Sequence, residues 1–390
     1  MRKATIVAAL LLLTPAASQA KTLEDLLVEK GVITKGEAAG ASDSSASKVY
    51  WNEGTRVEFP DTGFTTSIAT MIQTRYAFTD RDEDSGVENT SSFDVNRARL
   101  IVSGTAMNNE FSYMLSTDFV DSTDTEGGAI GVRDAYIDWK PCVDDAGVRM
   151  GAFKTAVSRQ FNTDQQSMQF VDRSAVSEYF TLGRQNGLMA YGALADGMIT
   201  GSAGIFNGES DVEDTRHTGI VAVRVNPTGS MDTTEEGDID FTEELATSFG
   251  ATYAYSDKET GGVINQSGLI NIDANAKYMG LGVHAEYFHQ NNDADISGDA
   301  SGFYVQGGYY VTPKTMEVAA RYGYTDCDSG TAGGTCAGND NISEASATLN
   351  YYLWRHNLKA QLGYDFVRND SIAGEDFTTN RYVFQLSSYF

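Results

Sequence analysis

The sequence predicts an all-β fold, a transmembrane antiparallel β-barrel of about sixteen strands, an even number within the range of bacterial outer-membrane barrels. Alternation of apolar and polar residues recurs from about residue 63 to the last residue, Phe390, as in strands with one apolar face. No later stretch approaches the roughly 18 apolar residues of a spanning helix, whereas a closed barrel pairs every backbone group within a membrane. The composition, Gly 39, Tyr 20 and Phe 19 against Pro 5, also suits many short strands.

The N-terminus predicts export. Residues 1–20 form a signal peptide by pattern, with the basic start MRK, an apolar run and small residues before a cleavage site. Residues 21–48 are predicted to form a short periplasmic helix, ended by Gly31, and a polar linker. The barrel is predicted to span residues 49–390.

The predicted strands follow from the alternation of apolar and polar residues and from the turn residues between them. They are 63–78, 93–106, 109–120, 131–140, 147–154, 187–195, 198–206, 217–226, 241–256, 268–278, 280–290, 300–310, 315–325, 341–353, 357–367 and 380–390.

The connections alternate between tight turns, such as Asp196-Gly197, and long acidic joins, such as DRDEDSGVENTSS. Outer-membrane barrels show this alternation because short turns face the periplasm and long loops face outward. It breaks once, at NPTGSMDTTEEGDID, where either a strand boundary is wrong or the turn carries an insertion. The longest join is 155–186, and such a length is uncommon without a function.

Basic residues lie on one face of several predicted strands. Arg97 and Arg99 share one parity and apolar residues occupy the other, and the same alternation places Arg75 with the polar set. An Arg on the lipid face at mid-membrane costs roughly 2 to 4 kcal/mol. These side chains are therefore predicted to point into the lumen. Lys154 is a further candidate, on a short strand whose parity is mixed.

Charge and cysteine content exclude some partners. The formal net charge of −26 argues against nucleic acid, which needs a basic surface. Cys327 and Cys336 are predicted to form a disulfide in an oxidising compartment, with two free thiols as the alternative, while Cys142 has no assigned role. Acidic joins could bridge to lipopolysaccharide through divalent ions, but EF-hand spacing is absent, so no metal site and no cofactor is predicted.

Six segments in order, LEDLLVEKGVIT, FDVNRARL, RDAYIDW, GAFKT, QFVDRS and TLGRQNG, together resemble the phosphate-selective porin O and P family. The resemblance implies a trimeric outer-membrane barrel whose third long loop, here 155–186, folds inward as a constriction. It places Arg173 and Arg184 at or near that loop, assigns Arg97 and Arg99 to an arginine-lined wall, and assigns Lys154 to a lysine-containing zone.

The function that follows from the resemblance is passive diffusion of small solutes through a water-filled channel in the Gram-negative outer membrane. Small anions such as phosphate are the expected solutes, and the expected partners are outer-membrane lipid, lipopolysaccharide and two further copies of the chain. The alternative for the arginines is bracing of the wall, with Asp134 and Asp138 as lumen partners. A non-selective porin is therefore the alternative function.

Other function classes fit the sequence less well. An enzyme is not expected, because His284 and His289 have opposite parity on one strand and no His lies beside a nucleophile motif. A surface receptor or adhesin would act through the long acidic loops, and a soluble secreted sandwich would show the same local alternation.

Overall fold

The computed structural model describes residues 30–31, 34, 47–82, 88–120, 131–141, 145–208, 216–260, 263–292, 299–327, 339–371 and 376–390. The predicted signal peptide and nearly all of the predicted periplasmic helix lie outside these ranges. None of the helices within them is long and apolar enough to cross a bilayer.

The fold is one sheet of 18 strands, of which sixteen, β3 to β18, close into a ring. A short hairpin, β1 (Lys48–Trp51) and β2 (Thr55–Phe59), precedes the ring and pairs with the start of β3. The first eight strands of the ring are β3 (Phe64–Arg81), β4 (Thr90–Ala106), β5 (Phe111–Asp118), β6 (Gly131–Trp139), β7 (Ala146–Lys154), β8 (Arg184–Leu194), β9 (Ile199–Phe206) and β10 (Thr218–Val225). The other eight are β11 (Ala246–Thr260), β12 (Val263–Tyr278), β13 (Leu281–Asn292), β14 (Ala300–Thr312), β15 (Met316–Cys327), β16 (Asn339–Trp354), β17 (Leu358–Ser371) and β18 (Phe377–Tyr389).

Each strand of the ring pairs antiparallel with the next, and β18 pairs with β3, so the predicted sixteen-stranded barrel is confirmed. The last residue completes the closure, because Phe390 N donates to Thr70 O at 3.0 Å. Where β18 meets β3, the apolar side chains also point outward and the polar ones inward, as predicted. Ile72 is 49% exposed on the outer surface, whereas Gln73 is 1% exposed inside.

The strand predicted at 241–256 was wrong at its start, since β11 begins at Ala246. Residues 226–245 form an insertion in a connection at the short-turn end of the barrel. This insertion explains why the alternation of short and long connections breaks there. Several other strands, including β4 and β12, run farther toward the long connections than the alternation predicted.

The third long connection, residues 155–183, lies inside the barrel, as the prediction of an inward-folded loop requires. It contains two short helices, α1 (Arg159–Asn162) and α2 (Ala175–Phe180), separated by a 3-10 turn at Gln165–Ser167. We refer to residues 155–183 as the inner loop.

The largest apolar core lies between the inner loop and the wall. The apolar side chains on the outer surface of the ring face outward, so only those inside the barrel can be buried against other parts of the chain. Val157, Val176 and Phe180 from the loop pack against wall side chains of β7, β9 to β14. Phe180 stacks on Phe288 with ring centroids 5.1 Å apart. This apolar seal fills the lumen on the long-loop side of those strands.

Candidate functional site

Buried carboxylates of the barrel wall hold the inner loop. Glu286 of β13 accepts from the backbone N–H groups of Arg159 at 3.0 Å and Gln160 at 2.7 Å, the first residues of α1. These N–H groups have no partner within the helix, so a carboxylate there satisfies them and is favoured by the helix dipole. Glu344 of β16 accepts in the same way from Ala175 N at the start of α2.

The middle of the inner loop is held by side chains from the strands opposite β3 to β8. Glu317 of β15 accepts from Gln169 Nε2 at 2.7 Å, and Lys359 of β17 donates to Met168 O at 2.7 Å. Both wall side chains are fully buried. The loop is therefore fastened along β13 to β17, on the side of the lumen opposite β3 to β8.

The 226–245 insertion meets the inner loop inside the barrel. Asp164 N donates to Thr234 O at 3.0 Å, and Glu236 N donates to Ser167 O at 3.2 Å. The buried Glu236 carboxylate in turn accepts from Gln169 N at 2.8 Å. The insertion thus supports the loop from the short-turn end.

A gap remains between the inner loop and the wall of β3 to β8. It encloses about 360 Å³, and we call it the basic gap. Its charged lining consists of four basic and two acidic side chains, which are Arg99, Arg149, Lys154, Arg184, Asp134 and Asp164. The gap therefore carries an excess of positive charge in a chain whose formal net charge is −26.

Arg97 and Arg99 both lie inside the barrel. Arg97 Nη1 donates to Gln73 Oε1 at 2.7 Å, and its Nη2 is 3.9 Å from the nearest oxygen of Asp172. Arg99 Nε donates to Asp118 at 2.6 Å, and its Nη1 donates to Gln165 of the inner loop. Arg99 is thus an ion-paired bridge between wall and loop, whereas Arg97 has only a distant carboxylate.

The remaining predicted basic residues differ in their surroundings. Arg75 donates to Asp94 at 3.2 Å and to Asp172 at 3.5 Å. Lys154 Nζ donates to two loop carbonyls at 3.2 and 3.3 Å and is 3.8 Å from Asp164.

Two arginines of the prediction are fully engaged. Arg184 binds Asp134 through two hydrogen bonds of 3.0 and 3.1 Å. Arg173 pairs with Glu178 at 3.0 Å and donates to two carbonyls of α1, so it braces the loop internally and does not line the basic gap.

Both predicted acidic partners pair with lumen arginines, one with Arg184 of the prediction and the other with Arg149, which was not predicted. Asp134 accepts from Arg184, and Asp138 accepts from Arg149 at 2.8 and 2.9 Å. Neither contacts Arg97 or Arg99, whose carboxylate neighbours are Asp172 and Asp118.

Arg133 is a lumen residue that the alternation missed. The pairing of β5 with β6 shifts from Ser116↔Asp134 to Thr117↔Val132, so Arg133 is the extra residue of a bulge. Its Nη1 is 3.7 Å from Asp118, which already accepts from Arg99. Among the described residues, Arg133 therefore shares its nearest carboxylate with Arg99. No signal in the sequence marks the bulge.

Asp172 of the inner loop gathers three arginines. Its carboxylate lies 2.7 Å from Arg381, 3.5 Å from Arg75 and 3.9 Å from Arg97. Burial alone would raise the pKa of Asp172, but the three guanidinium groups outweigh it and hold this pKa below the usual carboxyl value. Asp172 thus remains ionised and fixes the loop against the wall.

Two further predictions concern a cysteine pair and a histidine outside the basic gap. Cys327 is disulfide-bonded, while Cys336 lies outside the described residues, so their pairing stays a prediction. His284 is buried, with Nδ1 2.7 Å from Asn275 Oδ1. Within the described ranges, no group of three or more His, Cys, Asp or Glu side chains is arranged to hold a metal ion.

Comparison with known proteins gives one family and many similar folds. The family model for phosphate-selective porins O and P matches residues 68–390. Among solved structures, the anion-selective porin of Comamonas acidovorans is similar, with 12% identity, a TM-score of 0.61 and coverage of 84% of this chain and 100% of that one. A search of curated protein sequences finds no match.

Two further solved structures share the fold. The outer membrane channel DcaP of Acinetobacter baumannii has 11% identity and a TM-score of 0.61, with 84% of this chain and 98% of that one covered. The trimer form of OmpT of Vibrio cholerae has 13% identity and a TM-score of 0.58, with 84% and 99% covered.

Proposed function

The chain belongs to the phosphate-selective porin O and P family and is therefore an outer-membrane porin of Gram-negative bacteria, and we propose that its channel prefers anions of the phosphate type. The observation that carries the proposal is the basic gap, where four basic side chains line the open part of the lumen against two acidic ones. The inner loop packs against the wall of β9 to β14 through the apolar seal, and we infer that solutes pass the lining of the gap.

The proposed selectivity depends on cations that are not fully neutralised. Arg184 and Arg149 each have a carboxylate at hydrogen-bond distance with two contacts, so they brace the wall. Arg97, Arg133 and Lys154 have their nearest carboxylate oxygens at 3.9, 3.7 and 3.8 Å. Of these, Lys154 lines the basic gap, whereas Arg97 and Arg133 lie inside the barrel but are not among the residues that line the gap. Each of the three can offer a charge-assisted hydrogen bond to a passing anion.

Conduction requires binding that is weak enough to release the ion. Several partly engaged cations at different positions meet this requirement better than one strong site, because the anion exchanges one contact for the next. Guanidinium groups suit phosphate in particular, since their planar donors match its oxygens. No chemical step is needed, and we propose that the protein acts without catalysis.

Reversal potentials in planar bilayers under a salt gradient test the proposal. We expect a potential on the anion side for the unmodified protein, and a shift toward zero or inversion in the Arg97→Gln, Arg99→Gln double variant. Arg368→Gln is the matched control, since Arg368 is half-exposed and pairs with Asp370 and Asp376 near the long connections, away from the gap. Cation preference of the unmodified protein contradicts the proposed selectivity.

We further propose that the protein is a homotrimer that contacts lipid and lipopolysaccharide. The trimer form of OmpT, which shares this fold, supports the oligomeric part. The mass of the detergent-extracted protein, measured by light scattering before and after heating, tests it. A monomer before heating contradicts the proposal.

A further inference from the structure

A second cavity lies next to the basic gap, between the inner loop and strands β7 to β11. It encloses about 500 Å³ and includes Asp145 and Ala193 near the short-turn end of the barrel. We call it the lower chamber. Its volume falls within the range of roughly 300 to 1,000 Å³ that is typical of small-molecule sites.

The wall of the lower chamber is built from two rows of side chains in register across β8 to β11. One row is Tyr191, Ser202, Ala222 and Thr252, and the next row toward the short turns is Ala193, Thr200, Arg224 and Gly250. All eight residues line the cavity. The residues of one row share a sheet face because paired positions point the same way.

The lower chamber adjoins the basic gap. The two cavities share Arg149, Asn162 and Thr234 as lining residues. On the long-loop side of the chamber, Ile220 and Ala254 are buried in the apolar seal under the inner loop. The seal therefore lies between the chamber and the long connections at β10 and β11, and the gap is the neighbouring cavity in the lumen.

The chamber differs from the gap in chemistry. Three arginines and Asp145 carry the charges of its lining. Arg149 binds Asp138, and Arg224 binds Asp273 through two hydrogen bonds of 2.8 Å each. The third, the buried Arg159, donates to Glu235 O at 3.3 Å and lies 3.9 Å from the Glu236 carboxylate. What the gap does not offer is the pair of hydroxyls of Thr200 and Ser202, which form no side-chain hydrogen bond with any residue that the structure describes. Such hydroxyls beside small aliphatic side chains suit a hydroxylated carbon body.

We propose that the channel admits phosphorylated polyols such as sugar phosphates, with the phosphate in the basic gap and the hydroxylated body in the lower chamber. The inference rests on the proposed anion preference and adds the size and class of the solute. A gap beside a hydroxyl-lined space of this volume has room for more than inorganic phosphate alone, which the gap itself accommodates.

Permeability measurements with two probes test the inference. Reversal potentials under bi-ionic conditions give the permeability of glucose 6-phosphate and of inorganic phosphate, each relative to chloride. Ala222→Phe places a ring in the middle of the first row, and we expect the glucose 6-phosphate ratio to fall at least about threefold, since the filled space cannot relax in a closed wall. The permeability ratio of inorganic phosphate to chloride should fall by a factor less than half as large.

The matched control is Val221→Phe, the same change at the neighbouring position of β10, whose side chain is 59% exposed on the outer surface. Ser202→Leu on β9 fills the same chamber from another strand and serves if Ala222→Phe does not assemble. A heat-resistant band on a gel shows that each variant has formed a barrel.

Three outcomes separate the two proposals. A selective loss of glucose 6-phosphate permeability in the filled variants supports the inference. If the unmodified channel prefers anions but the filled variants treat both phosphates alike, or if glucose 6-phosphate does not pass, the inference is overturned and the anion proposal stands. A cation-selective unmodified channel overturns both.

Discussion

Glu286 is the wall carboxylate with the greatest number of contacts to the inner loop, so its replacement by Gln should loosen the constriction. Three loop donors reach it, Ser158 Oγ at 3.2 Å, Arg159 N at 3.0 Å and Gln160 N at 2.7 Å. The wall contributes Asn271 and Tyr304 as further donors. Glutamine keeps the shape of the side chain but removes the charge and replaces one acceptor with a donor.

The size of the effect follows from the three loop contacts. A hydrogen bond to a charged group contributes roughly 1.5 to 3 kcal/mol and a neutral one about 1 kcal/mol, so Glu286→Gln weakens each bond by about 1 kcal/mol. The total, about 3 kcal/mol, corresponds to a population of the detached α1 segment raised by about a hundredfold.

Hydrogen exchange of the amides at 158–163 measures this population directly, and we expect their protection to fall by about the same factor. Single-channel recordings should show a larger or noisier conductance, because a detached loop no longer restricts the lumen. Asp273→Asn is the matched control. Asp273 pairs in register with Glu286 on the adjacent strand, is also buried, and accepts from Arg224 and Asn275 but not from the loop. Unchanged protection in Glu286→Gln, or an equal loss in Asp273→Asn, would refute the anchoring role.

Three further predictions concern the inner loop. Asp172→Asn should shift the reversal potential farther to the anion side, because it removes the carboxylate that three wall arginines share. The pKa of Asp172 is lowered in the folded state, so its stabilising contribution is complete above the usual carboxyl range and is lost as the pH falls through the lowered pKa. The protection of the loop amides in the unmodified protein should therefore persist from pH 7 to about pH 4 and decrease only below that pH. A loss already at neutral pH contradicts this. Phe180→Ala should cost about 3 to 5 kcal/mol of stability and raise the conductance through the apolar seal, measured as a lower temperature of heat modification and a larger unitary current; an unchanged current means that the seal does not limit flow.

The alternation of side chains predicted the barrel and the lumen positions of Arg97 and Arg99, because strand parity depends only on neighbours in sequence. It failed where one strand gained a residue. The bulge at Arg133 changes the parity on one side of it without any marker in the composition. The insertion 226–245 was visible as a break in the turn pattern, but its inward path depends on contacts such as Glu236 with the inner loop, which no local pattern encodes.

The partners of the lumen charges were harder to predict than their positions. Asp118 and Asp172, the carboxylates nearest to Arg99 and Arg97, lie 19 and 75 residues away along the chain. Arg173 lies on the inner loop, as its motif suggested. A carboxylate and two carbonyls of the folded loop engage its guanidinium, and only the tertiary structure shows these partners.

The strong negative charge of the chain and a preference for anions are compatible because charge acts locally. Many acidic residues lie in the long connections, whose field is screened within about 8 Å at physiological salt. The buried acids Glu236, Glu286, Glu317 and Glu344 lie on the far side of the inner loop from the basic gap, where backbone and side-chain donors of the loop already satisfy them. An anion in the gap therefore encounters chiefly the basic side chains of its lining, which are Arg99, Arg149, Lys154 and Arg184. The sign of the selectivity depends on how these few side chains are paired, and the net charge of −26 has little influence on it.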